Sequence, residues 1–214
     1  MKSIFVTAIL LISFLTLNAQ GIGELAPPKK PMVFPPNAWG FDLMIGDSGF
    51  GFGGFYRHLV VENITFFTDI SFSESKDDRE FEFIDIFGRT FTVGKINRIF
   101  QIPLNFGVQY RLFAEDLADN LRPYINAGVG PALIITTPSS EEFFSAFSKA
   151  QLKIAAGGYV GFGANFGVDQ SSLIGINFRY YYIKLFGDGV ESLEGRPKNV
   201  IGGFFVTINF GFMY

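Results

Sequence analysis

The stretch VIGGFFVTINFGFMY, residues 200–214, decides the fold class. Its even positions read Val200, Gly202, Phe204, Val206, Ile208, Phe210, Phe212 and Tyr214; its odd positions read Ile201, Gly203, Phe205, Thr207, Asn209, Gly211 and Met213. Side chains on a strand alternate faces, so one face here is almost wholly apolar and the other small, polar or mixed. The alternation outlasts an ordinary strand. A strand crossing a bilayer needs about 9–11 residues with one side toward lipid, and this segment supplies them.

Seven further segments repeat the pattern: about 39–45, 50–59, 64–73, 98–112, 121–135, 149–168 and 173–183. The clearest is 98–112, where Phe100, Ile102, Leu104, Phe106, Val108, Tyr110 and Leu112 share one face and Gln101, Asn105, Gly107, Gln109 and Arg111 the other. In the first, Trp39, Phe41, Leu43 and Ile45 oppose Asp42 and Met44. Composition agrees: 28 Phe, 8 Tyr and 25 Gly stand beside one His and no Cys, and charged residues are only 17%. No apolar run beyond residue 20 is long enough for a helical span, which takes about 18 residues. A formal charge of −3 offers no basic patch for nucleic acid, and the missing Cys excludes disulfides and thiolate metal sites.

Residues 1–19 read as a secretory signal: Lys2, an apolar core over 4–17, and Leu17-Asn18-Ala19 before the cleavage point. Residues 20–37 hold five of the ten prolines (27, 28, 31, 35 and 36) and read as a periplasmic linker or tether. Residues 38–214 then form the body of the protein.

Connections between the segments alternate in length. VVEN, AEDLADN and VDQSS are short, whereas 74–97, 136–148 and 186–198 are longer. Up-and-down outer-membrane barrels have short periplasmic turns and long external loops. Lipid cannot satisfy backbone polar groups, so a spanning sheet must close on itself. The expectation is therefore an all-β, eight-stranded antiparallel up-and-down transmembrane β-barrel, a size whose lumen side chains can fill. Asp42, Arg57, Asp69, Asn105, Gln109, Arg111, Lys153, Arg179 and Asn209 fall on the inward faces, and enclosed charges must pair. Trp39, Tyr56, Tyr110, Phe166 and Tyr214 fall near the periplasmic ends of outward faces, as an interfacial aromatic girdle would.

The segment YRLFAEDLADNLRPYINAGVGP (110–131) and the aromatic terminus INFGFMY resemble the small outer-membrane β-barrel proteins of Gram-negative bacteria, the class that includes the OmpA membrane domain and OmpX. The resemblance implies an outer-membrane location, contact with lipid and lipopolysaccharide, and a monomer. It also implies that Phe210, Phe212 and Tyr214 serve as the signal read by the barrel-assembly machinery.

Three motifs point elsewhere and fail on context. Gly46-Asp47-Ser48-Gly49 resembles a serine-protease nucleophile loop, but the only histidine, His58, belongs at the other end of its strand. Gly49-Phe50-Gly51-Phe52-Gly53-Gly54 fits the dinucleotide glycine pattern but alternates with Phe on a strand instead of opening a helix. Gly88 to Lys95 misses the phosphate-loop spacing by one residue. The acids of loop 74–97 (Glu74, Asp77, Asp78, Glu80, Glu82 and Asp85) could bind a divalent cation or bridge to lipopolysaccharide. Interspersed with Lys76, Arg79, Arg89 and Lys95, they read instead as a solvated, self-neutralised loop. No cofactor or catalytic site is expected. The functional readings left are a structural or surface-interaction barrel, a narrow porin, a lipid-modifying barrel enzyme and a soluble lipocalin-like carrier.

Overall fold

A computed structural model describes residues 33–214 except 48, 78, 89, 116, 118–120, 168 and 169. The signal-peptide segment and linker residues 20–32 lie outside the described residues.

Eight long strands close into one antiparallel barrel: β1 (Asn37–Gly46), β2 (Gly49–Val61), β3 (Ile64–Ser75), β6 (Asn97–Arg111), β7 (Leu121–Pro138), β8 (Gln151–Phe166), β9 (Ser172–Leu185) and β12 (Val200–Met213). Each pairs with its sequence neighbours, and β1 pairs with β12 to complete the wall. Closure starts at Ala38 opposite Met213 and runs to Gly46 opposite Phe205. The sheet therefore has no free edge. Burial alternates along the staves where no loop covers them: Asp42 and Met44 are buried while Phe41, Leu43 and Ile45 are exposed on the outside. The outer wall is apolar nearly all round and the inner wall carries the charge. A soluble barrel would have the reverse.

The sequence reading needs three adjustments. The first stave begins at Asn37, and the Leu59 amide donates to the Pro36 carbonyl, so the last residues of the Pro-rich stretch belong to the barrel. Lys149 lies in a short 3-10 turn and not on the sixth stave, which starts at Gln151. The long connections also carry structure of their own. Residues 76–96 contain the hairpin β4 (Glu82–Ile84) and β5 (Thr90–Thr92), 139–150 contain the single-turn helix α1 (Phe143–Ala146), and 186–199 contain the pair β10 (Val190–Glu191) and β11 (Pro197–Lys198).

These three connections emerge at one end of the barrel, together with the tight β1–β2 hairpin. The other end has the connections from β2 to β3, β6 to β7 and β8 to β9. The long connections are tied to one another. Ile96 N–H donates to the Ser192 carbonyl at 2.8 Å, Glu194 N–H to the Gly94 carbonyl at 2.9 Å, and Ser139 Oγ–H to the Lys95 carbonyl at 2.7 Å. The Arg98 guanidinium donates to the carbonyls of Pro138, Ser139 and Glu141 and so fixes the start of the second loop. That loop folds over the barrel wall: Phe147 stacks on Phe100 at 5.6 Å and Phe143 meets it edge-on at 6.0 Å, which buries an outward-facing Phe.

Candidate functional site

Inside the wall the side chains form layers. Toward the long-loop end lies an apolar layer built from Met44, Ile134, Ile183, Ile201 and Phe205, onto which Val190 descends from the β9–β12 connection. At the short-turn end Ala38, Phe55, Leu173 and Met213 form a second cluster, and Phe34 packs against it from the chain just before β1.

Between them sits the polar centre. Arg179 is buried to 1% exposure and its Nη2 lies 2.8 Å from Asp42 Oδ2, while its Nη1 is 4.0 Å from Asp69 Oδ2. Asp42 also accepts from Asn209 Nδ2 at 2.5 Å, its neighbour across the β1–β12 seam. Asp69 accepts from Asn105 Nδ2 at 2.9 Å and from the Tyr159 hydroxyl at 2.7 Å. Arg179 also donates to the Tyr181 hydroxyl at 3.3 Å and lies over the Tyr159 ring at 4.9 Å, while its Nε is buried without a hydrogen-bond partner. One cation thus faces two carboxylates whose remaining lone pairs are met by amide and phenol donors, the condition under which buried charge is tolerable.

Of the nine inward polar residues read from the sequence, five meet here: Asp42, Asp69, Asn105, Arg179 and Asn209. The other four lie elsewhere. Arg57 is buried nearer the short turns, where its Nη1 donates to Asn165 Oδ1 at 3.2 Å and its guanidinium lies over the Phe55 ring at 4.3 Å. Gln109 is buried opposite Asn126 on the β6–β7 ladder. Arg111 is half-buried and donates from Nη2 to the Leu117 carbonyl at 2.9 Å. Lys153 departs most: its ammonium sits at the long-loop rim, donating to the carbonyls of Asp188 at 3.0 Å and Gly189 at 2.6 Å. Tyr159 and Tyr181, central to the network, share the inward parity of Lys153 and Arg179, and that parity was the signal available for them.

The acid-bearing loop is neutralised within the chain but is not the solvated segment its charges suggest. Asp77 is buried and takes Arg79 Nε at 2.8 Å and Nη2 at 2.7 Å. These hydrogen bonds hold its carboxyl down to about 2. Glu80 pairs with Lys95 at 2.8 Å and accepts from Ser192 Oγ. Burial pushes its carboxyl up, but the Lys95 and Ser192 hydrogen bonds prevail and leave it below the usual carboxylate range. Asp78 and Arg89 lie outside the described residues. Among the described residues no cluster of three metal-ligating side chains occurs.

The loop's other half is apolar and uncovered. Phe83 and Phe91 face each other across the hairpin with centroids 5.9 Å apart. Phe81, Ile84 and Phe87 are exposed as well, and Ile86 at the tip is 94% exposed. In the wall itself, a groove of about 640 Å³ is lined by Phe106, Val108, Ala127, Val129, Tyr180 and Tyr182 on the outward faces of β6 to β9.

His58 lies at the short-turn end, with Nδ1 2.7 Å from Asn37 Oδ1. The β1–β2 hairpin is at the opposite end of β2, about 30 Å away at roughly 3.3 Å per residue. That separation keeps the histidine from any nucleophile in the GDSG turn. The girdle residues Trp39, Tyr56, Tyr110, Phe166 and Tyr214 are all exposed on outward faces toward the short-turn end.

No family model and no curated protein matches the sequence. Among solved structures, the chain is similar to the N-terminal β-barrel domain of Pseudomonas aeruginosa OprF, at 12% identity over 83% of this chain and 97% of that one, with a TM-score of 0.46. It is similar to Neisserial surface protein A at 14% identity over 83% and 94%, also with a TM-score of 0.46. The outer membrane protein AlkL, solved in lipid bilayers, matches at 14% identity over 90% and 97%, with a TM-score of 0.38. At this distance the fold rests on the chain's own closed ladder.

Proposed function

We propose that this chain is an outer-membrane barrel that acts as a structural and surface-interaction scaffold through its long-loop end. The observation that carries the reading is the pairing of an apolar outer wall with an ion-paired, side-chain-filled lumen. Such a wall is stable only against hydrocarbon, and such a filling favours a scaffold over a conduit. The short turns then face the periplasm and the interlocked loops face outward. The interlocking supports a rigid platform, and the exposed Phe and Ile of the β4–β5 hairpin give it an apolar contact surface. Outer-membrane lipid and lipopolysaccharide are the expected surroundings, and the chain acts as a monomer without enzymatic chemistry.

The test begins with membrane fractionation and heat-modifiable gel mobility. Recovery in the soluble fraction without detergent would overturn the membrane assignment. Planar-bilayer conductance of the refolded protein comes next, where stable open steps would overturn the filled-lumen scaffold. An I86S/F87S variant is expected to keep barrel mobility while losing retention on outer-membrane-lipid vesicles through the loops. Unchanged retention would remove the platform role.

A further inference from the structure

The polar centre sets one cation between two carboxylates, whereas the layer beneath it carries three further cations. Arg57, Arg111 and Arg122 all approach the short-turn end of the lumen. The two lumen carboxylates, Asp42 and Asp69, are engaged above by Arg179. Among the described residues, no carboxylate forms an ion pair with any of the three arginines.

Their positions converge. Arg122 is the ladder partner of Asn165, and Asn165 accepts from Arg57. Arg111 is the ladder partner of Tyr124, two residues from Arg122 on the same face, and the Arg57 guanidinium lies 5.8 Å from the Tyr124 ring. The partners these guanidiniums have are neutral. Arg57 uses Asn165 and Phe55, Arg111 the Leu117 carbonyl, and Arg122 the Met213 sulfur at 3.7 Å and the Phe34 ring at 3.7 Å. The Nε atoms of Arg111 and Arg122 are both buried without a hydrogen-bond partner. Unmatched, partly buried cations and unmatched buried donors are each costly, and one anionic acceptor answers both.

We propose that this layer is an oxyanion site of the phosphate class at the short-turn mouth of the barrel. A tetrahedral oxyanion presents pairs of oxygens that match guanidinium forks bidentately, a geometry that a single chloride does not offer. Phe34 lies over Arg122 and would form part of the lid. A free phosphate and the phosphate of a lipid headgroup share this chemistry.

The full chain, refolded in phosphate-free maltoside micelles, is titrated with inorganic phosphate or with phosphatidylglycerol against sodium chloride at equal ionic strength. Thermal unfolding is followed by heat-modifiable mobility. The expected result is a saturable rise in midpoint with at least one phosphate source. A response to inorganic phosphate identifies a soluble ligand, and one to phosphatidylglycerol alone identifies a headgroup; either supports the site. In R122Q and R111Q the half-saturating concentration rises about tenfold or more, the worth of one charge-assisted hydrogen bond. R122K keeps the charge and safeguards folding; it binds more weakly than wild type because the fork is lost. An equal rise with chloride, or unchanged half-saturation in R122Q, R111Q and R122K, overturns the proposal.

Discussion

Replacing Arg179 by Met tests the central claim that the lumen is held by an ion-paired network built on one arginine and two carboxylates. Arg179 is 1% exposed and is the only cation within 4.0 Å of Asp42 and Asp69 among the described residues. R179M fills much of the same volume but leaves two buried carboxylates without their cation. Breaking a buried pair from one side costs about 3–5 kcal/mol, or roughly a hundred- to several-thousand-fold in the folding constant. Adding D42N removes one stranded charge. Its amide can still face Asn209, and Asp69 keeps Asn105 and Tyr159 as donors. The double variant is therefore expected to recover about 1–3 kcal/mol relative to the sum of the single losses. Urea unfolding in lipid vesicles, read by the fluorescence of Trp39, the one tryptophan, gives all four corners of the cycle. Losses below about 1 kcal/mol for R179M, or strict additivity in the double variant, would refute a network in which these charges depend on each other.

Other outcomes follow from particular contacts. A Cβ at Gly107 would lie 2.2 Å from the Ala127 carbonyl oxygen and 2.3 Å from Phe67 Cζ, so G107A is expected to cost about 1–3 kcal/mol in the same unfolding assay. Asp77 is held below its unfolded value, so its contribution is present above about pH 4 and is lost as pH falls toward about 2. Protease cleavage or hydrogen exchange in residues 76–96 should rise across that window, and D77N should show the raised level at neutral pH with the acid step removed. Deleting Tyr214 should lower the amount of barrel assembled in cells while leaving refolding into detergent intact. Equal loss in both would make the residue structural instead of an assembly signal.

The staves were legible because a barrel wall is the simplest two-faced object a sequence can encode. Each position needs only a choice between lipid and lumen, and the alternation along β6 and β12 states that choice residue by residue. The same code is silent about height. Lys153 has inward parity, but it stands only two residues into β8 from the long-loop rim, so its ammonium reaches loop carbonyls instead of Asp42. Arg111, at the other end of β6, is drawn to the Leu117 carbonyl for the same reason. The β4–β5 hairpin was hidden because strands of three residues carry no readable period. Phe81, Phe83, Ile86 and Phe91 are scattered among the charges of residues 74–97 with no period that marks an apolar face. The parity of Phe100 assigns it to the outer face, but only the fold shows α1 and its following turn lying over it.

By itself, then, the sequence determined an export signal as an expectation, the two-faced strands, their number, and the closure that unsatisfied backbone groups would compel in lipid. Which inward groups meet was decided by tertiary structure. Asp42 and Asn209 are neighbours only because β1 closes onto β12, and Arg179 reaches both Asp42 and Asp69 only because strand tilt brings them to one level across the lumen. Parity along a strand is a local property of the backbone. Distance across a barrel depends on the register of every stave between.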